Sequence, residues 1–487
     1  MIKILIAFSL FFQTNFFIYY AQSNNYKISK NSLIQTVSIL SSKEFDGRLP
    51  GSEGYNKAAN FMAEKFRELN LTPFGDSAYF QFLNVEYNKI DTPLIFKSIV
   101  NNDTIHYKLG EDFVVRGFSG ANNITLPVVF CGYGISRPDL GYDDYENVDV
   151  KDKIVLAFKD NPRWADQDRW GVRYPREKSL LAKQKGAKGI LFVSFPNDKK
   201  PQPLIGSVIH GEGEQPTDFP QLHISIKAAN DLLKNTGLTL SECQSKIDEN
   251  RKPFSFQTNN FAQILTTTFY TKTAKTMNVV ALLEGSDSIL KDEYVVIGAH
   301  LDHVGSQAGL LFPGANDNAS GSAGVLEIAK AFSYQSVKPK RSIIFILFTA
   351  EEQGLFGSKY FVDNLKIPPD KIVAMLNLDC IGYGDSIQVG NGLSSPKLWQ
   401  VAKQIDKEKF NLMVNDTWAN GGADAEAFHK VGIPCLYFVS KYSYDHLHLP
   451  TDTVETLNPN LFETIVELAF LTAKHISDGK YQREEVK

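Results

Sequence analysis

An α/β fold, built on a mixed, mostly parallel sheet sandwiched by helices, is what the sequence predicts from Asn278 to its end. Three observations predict it. Runs such as Val295–Ile297 and Ile343–Phe348 are apolar without alternation, as strands buried on both faces are. Stretches with apolar residues at helical spacing lie between them. Several runs close on a His, Asp or Glu, at the strand ends where open α/β sheets bind ligands.

In chain order, Lys3, the apolar and aromatic-rich run Ile4 to Tyr20, and the small residues of Ala21-Gln22-Ser23 read as a signal peptide over residues 1–23. An uncleaved anchor is the alternative, although the run is barely long enough for a bilayer core of about 30 Å. The protein is therefore expected to be exported, periplasmic or secreted, without stable membrane insertion once the leader is cleaved. Residues 24–84 read as helical, with Leu33, Val37 and Leu40 on one face of a first helix and Ala58, Met62, Phe66 and Leu69 on a second. Between them lies Asp46–Gly54, punctuated by Gly and Pro. Its Arg48 has two readings, an exposed loop residue or a cation for a substrate carboxylate.

From Val85 the character changes to short β-rich runs separated by Asn, Asp and Gly, and 85–275 reads as an inserted β-rich domain. Leu126–Ile135 and Asp152–Phe158 are expected strands. Lys178–Val193 reads as helix, turn and strand, and Phe219–Leu233 as strand then helix. His210 and His223 are single histidines in this region, with structural or surface roles. From 276 to 487 the α/β pattern takes over, with strands at 278–285, 294–300, 341–352, 371–379 and 433–440 and helices at 318–332, 395–409 and 459–476.

Composition narrows the function. The chain has 487 residues, is 43% hydrophobic and carries a net charge of -4, so nothing favours nucleic acid or another polyanion as partner. Cys131, Cys243, Cys380 and Cys435 are scattered without a CxxC pair, which excludes the common thiolate zinc spacings. They are expected to be free and buried.

The chemistry lies in a constellation. His300, Asp317, Glu352, Asp379 and His448 stand at or just after successive strands, with Glu351 beside Glu352. Carboxylates crowded at one sheet edge resist ionising unless something positive sits among them. Imidazole and carboxylate ligands without thiolate suit zinc and tolerate cobalt or manganese. Five ligands are too many for one tetrahedral site but fit two Zn2+ sharing a bridging carboxylate, with Co2+ or Mn2+ as substitutes. Neighbouring Glu351 and Glu352 cannot both face one metal, so one ligates and the other is free as a general base. Asp302 is placed to hold the other nitrogen of His300. The paired glutamates also suit a helix N-terminus.

The segments GAHLDHVG (298–305), PGANDNASG (313–321), TAEEQGLFGS (349–358), NLD (377–379) and HLPTD (448–452), in this order, resemble the zinc aminopeptidase family M28. The resemblance runs from Asn278 to the C-terminus and includes GRLPGSEG (47–54). Leu126–Ile135 through Val193 resembles the protease-associated (PA) domain often inserted in that family. It implies a zinc-exopeptidase fold with His300 and Asp379 on one zinc, Glu352 and His448 on the other, and Asp317 between them. Glu351 would be base and proton shuttle, with Asp302 at the catalytic site, and the Asp317–Asn318 peptide would be cis. The implied function is hydrolysis of the N-terminal bond of peptides with a free N-terminus. A carboxypeptidase or dipeptidase on the same scaffold, a glutaminyl cyclase with one zinc, and a non-catalytic member that has lost ligands are the alternatives.

Two positions depart from the family pattern. Leu447 stands where many members have a Tyr before the last His ligand, leaving Tyr442, Tyr444 and His446 as candidate oxyanion donors. His446 also rivals His448 as ligand, and the H-x-P-x-D spacing to Asp452 favours His448. Ala425 replaces a His common after Asp424, whose expected role is structural or in support of the ligands.

Overall fold

The computed structural model describes residues 26–165, 170 and 174–487. The expected leader lies outside them. Helix α1 (Lys30–Leu40) begins at Ser29, whose hydroxyl accepts the Ser32 N–H, and buries Leu33, Val37 and Leu40. Helix α2 (Glu53–Glu68) is capped by Ser52 and buries Ala58, Met62 and Phe66. Then come β1 (Phe80–Val100), β2 (Phe113–Val115), β3 (Asn122–Cys131), β4 (Ile154–Phe158), α3 (Pro175–Gln184), β5 (Gly189–Val193), β6 (Gln221–Ile224) and β7 (Ser255–Leu283). The C-terminal body follows with β8 (Tyr294–His300), α4 (Gly321–Ser333), β9 (Ser342–Phe348), α5 (Phe356–Asp363) and β10 (Ile372–Leu378). It closes with β11 (Ile387–Gly390), α6 (Pro396–Lys409), α7 (Ala425–Lys430), β12 (Cys435–Ser440) and α8 (Pro459–Ser477).

Apart from β1, which pairs with β7 beside the path, the strands form one hydrogen-bonded path in the order β11-β12-β10-β8-β9-β7-β3-β4-β5-β6-β2. In the C-terminal body β12, β10, β8 and β9 are parallel, while β7 and β11 are antiparallel to their neighbours. The four parallel strands therefore present their carboxyl ends on one edge. Alternate residues face two cores. Val295, Ile297, Phe345, Leu376 and Phe438 pack with α1, α2, α4, α6 and α8, while Val296, Ile344, Ile346, Met375 and Cys435 pack with α5 and α7. Each fully buried aliphatic or aromatic side chain contributes about 1.5–3 kcal/mol relative to exposure, which offsets the cost of the carboxylates buried at the strand ends.

The inserted region is tied to this body by a ribbon. Strands β1 and β7 pair antiparallel from Phe80 opposite Val279 to Ile99 opposite Phe261, with irregularities near Thr267 and Thr271. The expected boundaries at 85 and 275 fall inside these two strands. The change in sequence character tracks burial: Thr276–Ala281 is continuously buried, whereas the preceding part of β7 is exposed or alternating. Strands β3, β4, β5 and β6 pair in parallel beyond the ribbon. After β5 the chain returns over the C-terminal body, where the Gly206 N–H donates to the His448 carbonyl at 2.8 Å. All four cysteines are free and buried.

Candidate metal centre

The strand ends converge on two sets of candidate ligand atoms. His300 closes β8, and its Nε2 lies 3.4 Å from Asp317 Oδ1 and 3.4 Å from Asp379 Oδ1. Asp379 directly follows β10. On the other side, His448 Nε2 lies 3.1 Å from Asp317 Oδ2 and 2.9 Å from Glu352 Oε2. Asp317 thus turns one oxygen to each set. His446 points elsewhere, its Nδ1 2.9 Å from Thr451 Oγ1.

These residues fit a pair of divalent ions. Ligands about 2.0–2.1 Å from a tetrahedral zinc are about 3.3–3.4 Å from each other, and the spacings within each set are close to that. Asp317 Oδ2 and Asp379 Oδ1 are buried without a hydrogen-bond partner, as oxygens reserved for an ion are. The electrostatics agree. Burial opposes charging of His300 and His448, yet the surrounding carboxylates, Glu351 and Asp379 around one and Glu352 and Asp317 around the other, raise both pKa values well above the ordinary imidazole value. The cavity calls for positive charge, and imidazole plus carboxylate donors meet a borderline divalent ion.

Local structure explains why this loop geometry holds. Arg48 is fully buried, and its guanidinium donates to the carbonyls of Leu301 (2.8 Å), Leu40 (2.7 Å), Pro313 (2.9 Å) and Gly314 (2.8 Å). It is therefore neither an exposed loop residue nor a cation for a substrate; it clamps the loop after β8 to the loop that delivers Asp317. Burial pulls its pKa down to about 10, with Asp317, Asp452, Asp302 and Glu352 pulling the other way. Gly47, with φ +65°, comes so close that a Cβ would lie 2.3 Å from the Gly305 carbonyl oxygen, and its own carbonyl accepts the Gly305 N–H. The Asp452 carboxylate accepts the N–H groups of Asn316 (2.8 Å) and Asp317 (3.0 Å), which is the physical content of the spacing from His448 to Asp452. The Asp317–Asn318 peptide is cis.

Asp302 differs from the expectation. His300 Nδ1 is 3.2 Å from the Asp302 backbone carbonyl oxygen and 3.8 Å from its Oδ1. The carboxylate instead spans the backbone N–H groups of Glu351 (3.2 Å) and Glu352 (3.3 Å), fixing the turn after β9 that carries both glutamates. Glu351 Oε2 lies 4.0 Å from His300 Nε2, and burial pushes its carboxyl well above the usual range. Asp424 is fully buried, and that burial pushes its carboxyl up to about 7 against the opposing pull of His300.

Three contacts were not read from the sequence. The Tyr437 hydroxyl donates to Asp379 Oδ2 at 2.9 Å, leaving Oδ1 for the site. Tyr442 and Tyr444 are both exposed, but the Tyr444 hydroxyl reaches to 3.4 Å from that of Tyr437, whereas Lys441 lies over the Tyr442 ring. His303 Nδ1 lies 3.0 Å from Glu352 Oε1. The adjacent polar run from His300 to His303 was visible, but which of its members turn inward is set by the Arg48 clamp.

Comparison with known proteins places this geometry. The family model for peptidase family M28 matches residues 278–473, and the PA domain model matches residues 121–232. A probable leucine aminopeptidase of Arthroderma benhamiae is 30% identical over 177 residues, covering 34% of this chain and 50% of the relative. The chain thus spans about half the length of that curated relative. Aminopeptidase YwaD of Bacillus subtilis is 24% identical over 429 residues, 87% of this chain and 74% of the relative. The solved structure of a zinc aminopeptidase from Bacillus subtilis has the same fold, with a TM-score of 0.64 at 20% identity over 94% of this chain and 98% of that one. The strand ends that carry the candidate ligands fall within residues 278–473, the stretch that matches peptidase family M28, and the PA domain match over residues 121–232 lies between the N-terminal helices and that stretch.

Proposed function

We propose that this protein is a metallo-aminopeptidase that holds two divalent ions, zinc foremost, and hydrolyses the first bond of peptides with a free N-terminus. One observation carries the reading: Asp317 offers its two oxygens to two separate ligand sets, His300 with Asp379 and Glu352 with His448. When bound there, such ions supply Lewis acidity for a peptide carbonyl and lower the pKa of water, with cobalt or manganese able to substitute.

The chain's own groups supply the rest. Glu351 is the carboxylate beside the site that is not engaged by either set. It takes a proton from the attacking water as the new C–O bond forms, and returns it to the amine nitrogen as the C–N bond breaks. Although 54% of Tyr444 is exposed, enclosure of its hydroxyl end and the neighbouring Cys380 and Asp379 hold that hydroxyl protonated, above the usual phenol range. Its hydroxyl lies 3.4 Å from that of Tyr437, which in turn bonds Asp379, and it serves as the donor to the oxyanion. The carboxylates around the ions also give the substrate's α-ammonium its counter-charge. The PA segment bonded to the His448 carbonyl restricts the approach to small or unfolded peptide ends.

The carboxypeptidase or dipeptidase reading leaned on Arg48, whose donors are spent on four backbone carbonyls. The one-zinc cyclase reading leaves the second ligand set without a purpose. The leader over residues 1–23 would export the protein, to the periplasm or beyond; no helix among the described residues is long and apolar enough to cross a membrane. Matched peptides with free and acetylated N-termini test the activity. The free peptide should be cleaved at its first bond and the acetylated one spared; equal cleavage of both would end the aminopeptidase reading.

A further inference from the structure

The two terminal carboxylates of the site are held in the same way by different residues. Asp379 points Oδ1 to the ligand set, and its other oxygen, Oδ2, accepts the Tyr437 hydroxyl at 2.9 Å. Glu352 points Oε2 to His448, and its other oxygen, Oε1, faces His303 Nδ1 at 3.0 Å. A carboxylate whose second oxygen is occupied by a donor binds an ion through one oxygen only.

We propose that His303 is the positioning residue for the Glu352–His448 ion: its Nδ1–H holds Glu352 Oε1 and so fixes Glu352 as a one-oxygen ligand. This rests on the two-ion reading above. The ring is fully buried, and its N–H backbone group is tied to the Arg48 carbonyl at 3.1 Å. Gly314 leaves it room, since a Cβ there would lie 2.5 Å from His303 Cδ2. His448 packs against it edge to face, with ring centroids 5.4 Å apart. His303 Nε2 has no hydrogen-bond partner, so Nδ1 is the atom through which the ring acts.

A rival geometry uses the same atom. Nδ1 lies 3.5 Å from Asp317 Oδ2, and ligand atoms of His303, Asp317, Glu352 and His448 all lie within 4.8 Å of one another. As a fourth protein ligand, His303 would close that ion's coordination, as in a structural site, and leave no position for water or substrate. The donor role keeps three protein ligands and an open position, and it matches the Tyr437 arrangement on the other side.

Two substitutions separate these roles in the full-length, metal-stripped protein titrated with Co2+ and followed by calorimetry and by visible absorption. His303→Ala should weaken one of the two ions by about 10–100-fold, the usual cost of losing such a support, and leave the other at wild-type affinity. His303→Asn, whose side-chain N–H can replace Nδ1–H but offers no ring nitrogen, should restore most of the loss with an unchanged cobalt spectrum. Wild-type affinity for both ions in the Ala variant would overturn the proposal. So would an Asn variant as weak as Ala with a spectrum altered by the loss of a nitrogen ligand. If the Ala variant does not fold, the Asn variant alone decides between the two roles. A wild-type chain that took up fewer than two ions would instead bring down the two-ion reading itself.

Discussion

Replacing Arg48 by Met removes the clamp between the two loops that carry the ligands while keeping most of the side chain's volume. Four charge-assisted bonds to carbonyls are lost, each contributing about 1.5–3 kcal/mol and not fully additive. Relief of the guanidinium's burial, which pulls its pKa down to about 10, returns about 3 kcal/mol. The net loss is on the order of 3–5 kcal/mol, typical when one partner of a buried charged network is removed. Part of that loss falls on the site, because the His300–His303 loop and the Asp317 loop must then be ordered by the ions themselves. The variant should unfold at lower urea and hold its ions about 10–100-fold more weakly in competition with a chelator. Arg48→Lys, which keeps the charge but cannot reach four carbonyls, should fall between. A Met variant within about 1 kcal/mol of wild type, with unchanged ion affinity, would refute the clamp.

Two further predictions concern chemistry and pH. Tyr444→Phe should lower kcat by about 10²–10³-fold with little change in KM, as loss of one oxyanion donor does; an unchanged kcat in steady-state assays would remove Tyr444 from the mechanism. In the metal-stripped protein, His448 has a raised pKa and stabilises fully below about 6.5, its unfolded value, with the contribution lost as pH rises through the raised value. Glu352, held down to about 2 by His448 against its burial, stabilises above about 4.5 and loses that contribution as pH falls towards 2. The stripped protein should therefore melt highest between about pH 4.5 and 6.5, and added zinc should abolish the decline on the alkaline side. A stripped protein most stable at pH 9 in thermal melts would contradict this.

Much of the fold was legible because the C-terminal strands are buried on both faces. Ser342–Phe348 is apolar at nearly every position, and a run of that kind permits few other readings. The candidate ligand residues stand out as strand ends for the same reason. What the sequence hid is decided by tertiary contact. Strands β1 and β7 are single elements whose pattern changes midway because their burial changes, not their backbone. Arg48 reads as a loop residue because three of its four carbonyl partners lie more than two hundred positions away. Asp302 sits two residues from His300, which suggested a side-chain contact with its ring, yet the carboxylate is drawn to two backbone N–H groups aimed at it from the next strand's turn. Tyr437 lies within an apolar strand, and only its position beside Asp379 gives its hydroxyl a role.

The central claim is that Asp317 joins two ions at the carboxyl ends of four parallel strands. Anomalous diffraction at the zinc edge, on crystals of the wild type and of Glu351→Gln, tests it most directly. Two peaks flanking Asp317 in both proteins, with turnover lost only in the variant, is the predicted result. One peak or none in the wild type, or full turnover in Glu351→Gln, would contradict it.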